Sequence, residues 1–240
     1  MEKSITKGGI LISGLFSSID SAQVQEIRFD TIANNVANAN TNGFKKDDVV
    51  SQRSSFAIEL QQKSTTDFTA GNIIETGNSL DVALDSPGFF KIETDQGERY
   101  TQNGAFVLDE QGYLVTENGE KVMGENGPME LGGGVISIGG DGTVSVNGQP
   151  IDQLAVVGFD NPQYLVKEGN SIYSHTGTNN NITQIQNPRV RQGFLEKSNV
   201  NPTVEMVKMM EMFRCHESTQ QVIQTIGEMT SKMMSGFGLE

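Results

Sequence analysis

Ala33-Asn34-Asn35-Val36-Ala37-Asn38-Ala39-Asn40-Thr41-Asn42-Gly43-Phe44-Lys45-Lys46 is where this chain changes its period. Upstream, Leu15, Ile19, Ala22, Phe29, Ala33 and Val36 are three, four or seven residues apart, which places them on one face of a helix, and Ile27 and Ile32 widen the stripe. Within the run itself, five asparagines (Asn34, Asn35, Asn38, Asn40 and Asn42) fall in nine positions. Asparagine is poor helix interior but satisfies loose backbone groups where a helix stops. Gly43 offers a left-handed exit and Phe44 a hydrophobic anchor just beyond it. An ordinary terminus needs one or two such residues, and this one has five.

Beyond the run the period falls to two. Leu80, Val82 and Leu84 alternate with Asp81, Ala83 and Asp85, predicting a strand with one buried and one wet face. Asp109-Glu110-Gln111-Gly112 has turn chemistry, and Asn118-Gly119 predicts a two-residue hairpin turn. These bound expected strands at 100–108, 113–116 and 121–123. Ile136 and Ile138, then Val144 and Val146, flank a Gly139-Gly140-Asp141-Gly142 turn, and 154–159 reads as another strand. Residues 174–187, rich in asparagine and threonine, predict an exposed loop.

The helical rhythm returns at the other end. Asn201 and Pro202 are suited to cap and open a helix. Val222, Ile226, Met229 and Met233 then step by four, three and four, the spacing of a coiled-coil seam. Met206, Met210 and Phe213 make a second stripe, and Val207, Met209 and Met212 add apolar surface beside it. A helix of ~30 residues is about 45 Å long, and two alone hide only the surfaces that face each other. Seven of the ten methionines lie here, an adaptable side chain suited to meeting several neighbours. Two readings stand at this point: the core of a small bundle, or a surface for other copies.

The expected fold is therefore α+β, with paired, coiled-coil-like N- and C-terminal helices and an inserted antiparallel all-β domain. Its parts are an N-terminal helix in 1–46, a connector at 47–66, a β-domain at 67–198 and a C-terminal helix in 199–240. Charge follows the same division. The 240 residues carry 17 basic and 30 acidic side chains, net −13, with +1 in 1–46, −12 in 47–198 and −2 in 199–240. Such a polyanion repels phosphate backbones and anionic lipid, so neither nucleic acid nor membrane insertion is expected. No run reaches the ~18 to 20 apolar residues of a membrane span, since Ile10 to Phe16 is broken at Ser13 and Gly14. Lys3 and Lys7 before that stretch only loosely imitate a secretory peptide, so no cleaved signal is expected.

Catalytic, metal and cofactor sites are not expected. A single cysteine, Cys215, excludes internal disulfides and multi-thiolate metal sites. Its neighbour His216 projects about 100° away on a helix, which makes a poor nucleophile and base pair. Gly132-Gly133-Gly134 and the 139–142 glycines lie between strands, with no following helix or lysine to cradle phosphate. Asp109 and Asp141 lack the alternating oxygen ligands of a calcium loop. A hydrolase built on paired carboxylates has no pair that stands apart from the acidic surface. A secreted carbohydrate-binding β-domain with an oligomerising coiled coil remains a rival, although the chain has no tryptophan and four tyrosines for stacking on sugars.

Four blocks then carry a resemblance. Ile32 to Asn38, continuing through Asn42-Gly43-Phe44-Lys45, is similar to the N-terminal signature of bacterial flagellar rod and hook proteins, with Ala33, Asn34, Asn35, Asn38, Asn42, Gly43 and Phe44 as its core. Thr76 to Ala83 through Gly88-Phe89-Phe90 resembles the family's central block. Tyr100 to Phe106 with Gly112 to Thr116 resembles the next, and Gln192 to Val200, leading to Glu205-Met206-Val207 and Val222 to Thr225, the C-terminal one. The blocks span nearly the whole chain in the family's order, and its length fits the rod subunits rather than the longer hook subunit. Phe213-Arg214-Cys215-His216-Glu217 departs from the glutamine-arginine-alanine-tyrosine-glutamate run common in relatives.

The resemblance implies a structural role. Subunits of this family pass through the flagellar type III export apparatus without a cleaved signal. They polymerise with copies of themselves and neighbouring rod proteins, in the periplasmic part of the basal body, into the shaft that carries torque to the hook. It also implies that terminal helices pair as an inner tube with the β-domain outward. Leu15, Ile19, Ala22, Phe29 and Val36, with Met206, Met210, Phe213, Val222, Ile226, Met229 and Met233, are the expected subunit-packing residues.

Overall fold

The computed structural model describes residues 22–53, 60–177 and 182–236. The chain divides into two compact units. A helical unit combines Met1–Ala37, Asp47–Thr65 and Asn201–Glu240, and a β-rich unit combines Asn38–Lys46 and Thr66–Val200. Helices and antiparallel strands coexist in one chain, as an α+β fold requires. Leu15 and Ile19, expected on the first helical stripe, lie outside the described residues.

In the helical unit, helix α1 covers residues 22–37. Strands β1 (Asp47–Arg53) and β2 (Leu60–Thr66) pair in a two-stranded sheet within the segment expected as a connector. Helix α2 is Pro202–Gly236, 35 residues, or about 52 Å at 1.5 Å per residue. Its start is set as the sequence predicts. The Asn201 side-chain oxygen accepts from the N–H groups of Thr203 (3.1 Å) and Val204 (3.3 Å), and Pro202 has no N–H to leave unsatisfied.

The β-rich unit contains the core. Its largest sheet runs β14 (Leu165–Gly169), β15 (Ile172–His175), β6 (Gly97–Thr101), β5 (Phe89–Thr94), β9 (Lys121–Val122), β8 (Leu114–Thr116) and β7 (Phe106–Leu108), with β13 (Val156–Phe159) also on β5 and β16 (Ile182–Gln184) on β13. A three-stranded sheet joins β10 (Ile136–Ile138), β11 (Thr143–Val146) and β12 (Gln149–Gln153). Two further pairs link distant sequence: β17 (Val190–Gln192) with β4 (Val82–Leu84), and β18 (Phe194–Glu196) with β3 (Ile73–Glu75). The alternation of strand side chains sorts residues between two clusters. Phe90, Ile92, Val156 and Ile172 enter the larger one with Val82, Leu114 and Val122, while their neighbours Phe89, Val157 and Tyr173 enter an aromatic one with Tyr100 and Leu165. Register keeps the sorting consistent: Val156 lies opposite Phe90, Val157 opposite Phe89, and Tyr173 opposite Tyr100.

Several sequence expectations need correction. The strand expected at 100–108 is two, because Gly104 presses its backbone on the Val82 carbonyl where no Cβ fits, and its own carbonyl accepts the Val82 N–H at 3.0 Å. Phe106 therefore restarts in another register. β4 has no wet face, since Val82, Ala83 and Leu84 are all buried and Asp81 is too. The hairpin at Asn118-Gly119 is a three-residue loop. The Gly119 N–H bonds Thr116, the Thr116 N–H bonds the Glu120 carbonyl, and Gly119 takes the left-handed position at φ 95°. The 154–159 strand begins at Val156, Leu154 making only an isolated bridge to Gly124. Within the 174–187 segment, expected as a loop, Ser174 and His175 end β15 and 182–184 form β16, both held by pairing partners the local composition does not reveal. The turns at 109–112 and 139–142 form as expected, the second placing Ile136 opposite Val146 and Ile138 opposite Val144 in the core.

Candidate assembly surfaces

On α2 the apolar side chains divide by exposure. Met209, Met212, Ile223 and Ile226 are half-buried, as is Thr219, at helical spacings along one line. Met206 (52% exposed), Met210 (54%), Phe213 (52%), Val222 and Met229 are exposed. The stripes read from sequence therefore fall mostly on the open side, with Ile226 the exception, and the better covered line runs one to three residues off them. The Met233 side chain lies outside the described residues.

The helices of this unit touch at defined points. The Phe29 and Phe213 rings meet edge to face with centroids 5.1 Å apart. Gln25 donates its side-chain N–H to Thr219 Oγ1 (3.0 Å) and Cys215 Sγ (3.1 Å). A groove of about 470 Å³ beside them is lined by Ala22, Phe29, Met212, Phe213, His216 and Ile223 among others. His216 thus faces the groove while Cys215 accepts from Gln25, and the two serve different contacts. Ala22, Phe29 and Val36 are half-buried, and Ile27 is exposed.

The asparagine-rich run does not simply end α1. Asn34 and Asn35 are still helical, and the turn that stops the helix is at Asn38–Thr41, where the Thr41 N–H bonds the Asn38 carbonyl at 3.1 Å. Asn35, almost fully buried, donates to the Asp47 carbonyl (2.9 Å) and accepts the Asp47 N–H (3.0 Å), clasping the start of β1. It also reaches the buried Glu205 carboxylate at 3.5 Å, which takes Lys208 Nζ at 2.6 Å. Asn42 belongs to the β-rich unit, where its side-chain oxygen accepts Lys197 Nζ at 2.8 Å. Gly43 has φ +65° and lies six residues past α1, its left-handed conformation serving a close approach to Asn103, whose backbone N would be 2.5 Å from an added Cβ. Phe44 is buried under Lys167, whose ammonium is 4.1 Å from the ring centroid.

Just after Phe44, sequence reasoning missed a feature of the β-rich unit. Lys45 is 1% exposed and its ammonium meets Glu196 at 2.6 Å and the Thr69 carbonyl at 2.8 Å. Glu196 also accepts the Gly71 N–H at 2.6 Å. The partners are 151 residues apart, and a lysine in a polar run carries no local sign that it will be buried. Asp67 stands beside them. Partial burial pushes its carboxyl up, but hydrogen bonds from the Thr69 N–H and hydroxyl and from Lys46 more than reverse this, holding it below its ordinary 3.8.

Among the described residues no group of His, Cys, Asp or Glu is arranged to hold a metal ion, and no helix is long and apolar enough to cross a membrane. Asp141 accepts the Thr143 N–H and hydroxyl within its own turn.

Comparison with known proteins attaches a family to these regions. Residues 21–45 match the family described as flagella basal body rod protein, 83–146 the flagellar hook protein FlgE/F/G D1 domain, and 191–235 the flagellar basal body rod FlgEFG protein C-terminal. The chain is 30% identical over 241 residues to the flagellar basal-body rod protein FlgF of Caulobacter vibrioides, covering 94% of this chain and 98% of that one. It is 31% identical over 234 residues to FlgF of Mesorhizobium japonicum, covering 93% and 97%. It is 32% identical over 261 residues to the rod protein FlgG of Bacillus subtilis, covering 94% and 99%. Matched along almost its whole length, with the three family regions in order, the chain belongs to the bacterial flagellar basal-body rod proteins, structural and non-enzymatic components of the flagellar basal body.

Proposed function

We propose that this subunit polymerises through paired terminal helices, with copies of itself and with neighbouring rod proteins, into the shaft that transmits torque to the hook. The observation that carries the reading is the open apolar face of α2. Of the large apolar side chains left exposed, Ile27, Val204, Met206, Val207, Met210, Phe213, Val222 and Met229 all belong to the two helices. Each such side chain contributes roughly 1.5 to 3 kcal/mol when fully buried, so covering this face with other subunits offsets the ordering of long helices. The half-buried line supports packing of α1 on α2 in a coiled-coil-like pair, with Ala22, Phe29, Val36 and Ile226 inside it. Met206, Met210, Val222 and Met229 then meet other subunits, and Leu15, Ile19 and Met233 extend the seams. The acidic β-domain, read as 67–198, stays solvated.

Within the family the chain reads as an FlgF-type subunit. Its alignments with FlgF proteins span 234 to 241 positions, near its own length, whereas those with FlgG proteins range from 242 to 261. Passage through the type III export apparatus fits a chain with one cysteine and so no internal disulfide to prevent threading. The test is Met206→Glu with Met210→Glu in the full-length protein. The doubly substituted chain is expected to keep its folded β-rich unit, to disappear from purified basal bodies and to leave cells non-motile. Normal incorporation would overturn the reading.

A further inference from the structure

We infer that Lys45, Glu196 and Asn199 form a mechanical clamp that ties together the segments of chain by which the β-rich unit is joined to the rest of the molecule. The chain passes the boundary of this unit at four places: after 37, after 46, after 65 and after 200. Residues just inside the last three are bonded to one another, and every atom concerned belongs to the β-rich unit. Asn199 makes the widest set of links. Its N–H reaches the Phe44 carbonyl (3.3 Å), its side-chain oxygen accepts the Lys46 N–H (2.8 Å), and its side-chain N–H group donates to the carbonyls of Asp67 (2.8 Å) and Thr69 (3.1 Å). The Asp67 N–H returns to the Lys46 carbonyl at 2.9 Å. Beneath this lies the buried ion pair, with Lys45 on the inbound segment, Glu196 on the outbound one and Gly71 bonded to the same carboxylate oxygen.

Mechanics follow from that connectivity. Force drawing residues 46 and 200 apart loads the Asn199 links first and then the ion pair at Glu196, the last residue of β18, ahead of the rest of the β18–β3 ladder, so the clamp yields first and shields the hydrophobic core. A desolvated ion pair suits the role because separating the partners leaves an uncompensated buried charge, so the pair resists being parted. The inference rests on the rod reading only for why the molecule bears load; its test uses the single chain and can fail while the rod reading stands.

The experiment is optical-tweezers extension of the full chain, held through cysteines introduced at Ala37→Cys and Thr203→Cys with Cys215→Ser. The unaltered clamp is expected to give an initial force peak before the β-rich unit unfolds. Lys45→Met should abolish that first peak and leave the later unfolding force in place. Asn199→Ala, which removes links without stranding a charge, should lower it and serves if Lys45→Met does not fold. Lys91→Met, breaking the 2.6 Å pair with Glu98 elsewhere in the unit, should not alter it. Survival of the first peak in Lys45→Met, an unlowered first peak in Asn199→Ala, its equal loss in Lys91→Met, or uniform weakening of both events overturns the clamp.

Discussion

In the β-rich unit Phe90, Val82, Ile92 and Leu114 have left water completely, whereas on α2 Met206, Met210, Phe213 and Met229 keep about half their surface in it. The chemistry is alike and the destinations differ. One set closes a core within a single chain; the other is arranged along a helix whose apolar side chains stay half in water. Apolar content alone therefore does not report what stabilises the isolated subunit, because part of it contributes only when something else arrives.

Truncation measures the contrast most directly. Phe90 packs edge to face on Phe106 at 5.2 Å in the larger cluster, and Phe90→Ala is expected to destabilise the subunit by about 3–5 kcal/mol in urea unfolding. Phe213→Ala removes an aromatic of equal size that stands 52% exposed, so only about half of the ~1.5–3 kcal/mol of a fully buried side chain is lost. Equal losses at the two sites would abolish the distinction between a sealed unit and an open one.

Charge supplies a smaller effect confined to the sealed unit. The Asp67 carboxyl is held below 3.8 in the folded chain, so the unfolded chain binds its proton more readily and the stabilisation is fully present above that value. It is lost as pH falls from about 3.8 through the lower folded value. A pH series of unfolding midpoints should show this decline, and Asp67→Asn should reduce its slope while leaving α2 helicity unchanged. A slope that survives the substitution would place the acid sensitivity elsewhere among the 30 carboxylates.

These regions also differ in how far the sequence disclosed them. Period-two patterns at 136–146 and the Asn201-Pro202 start of α2 are local, so their residues suffice to predict them, and the α+β class follows. The break at Gly104, the two buried faces of β4 and the strand at 182–184 are imposed by segments far away in sequence. The asparagine run shows both cases. Its abundance of side-chain hydrogen-bonding groups was legible, but Asn35 uses them on Asp47 and Asn42 on Lys197, not on the carbonyls of a fraying helix end. On α2 the heptad rhythm identified apolar residues without saying which line is the better covered. Met209 and Met212 are less exposed than Met206 and Met210, and the stretch 206–213, apolar nearly all round, gives periodicity no way to choose.

That ambiguity defines the smallest expected effect and the most discriminating one. Met206→Gln, Met210→Gln and Met229→Gln together replace thioethers with amides of similar length and similar helix propensity, so α2 has no backbone reason to weaken. Because all three side chains stand about half in water, each change should shift subunit stability by no more than about 0.5 kcal/mol, read as an unaltered melting curve and far-ultraviolet circular dichroism. Assembly should respond differently, since an amide buried without partners at a subunit contact costs roughly 1–3 kcal/mol. Three such sites repeated in every subunit should reduce the amount recovered in basal bodies. A large drop in melting temperature with normal recovery would mean that this face is already covered within the single chain, and the open side of α2 would then be the half-buried line of Met209, Met212 and Ile223.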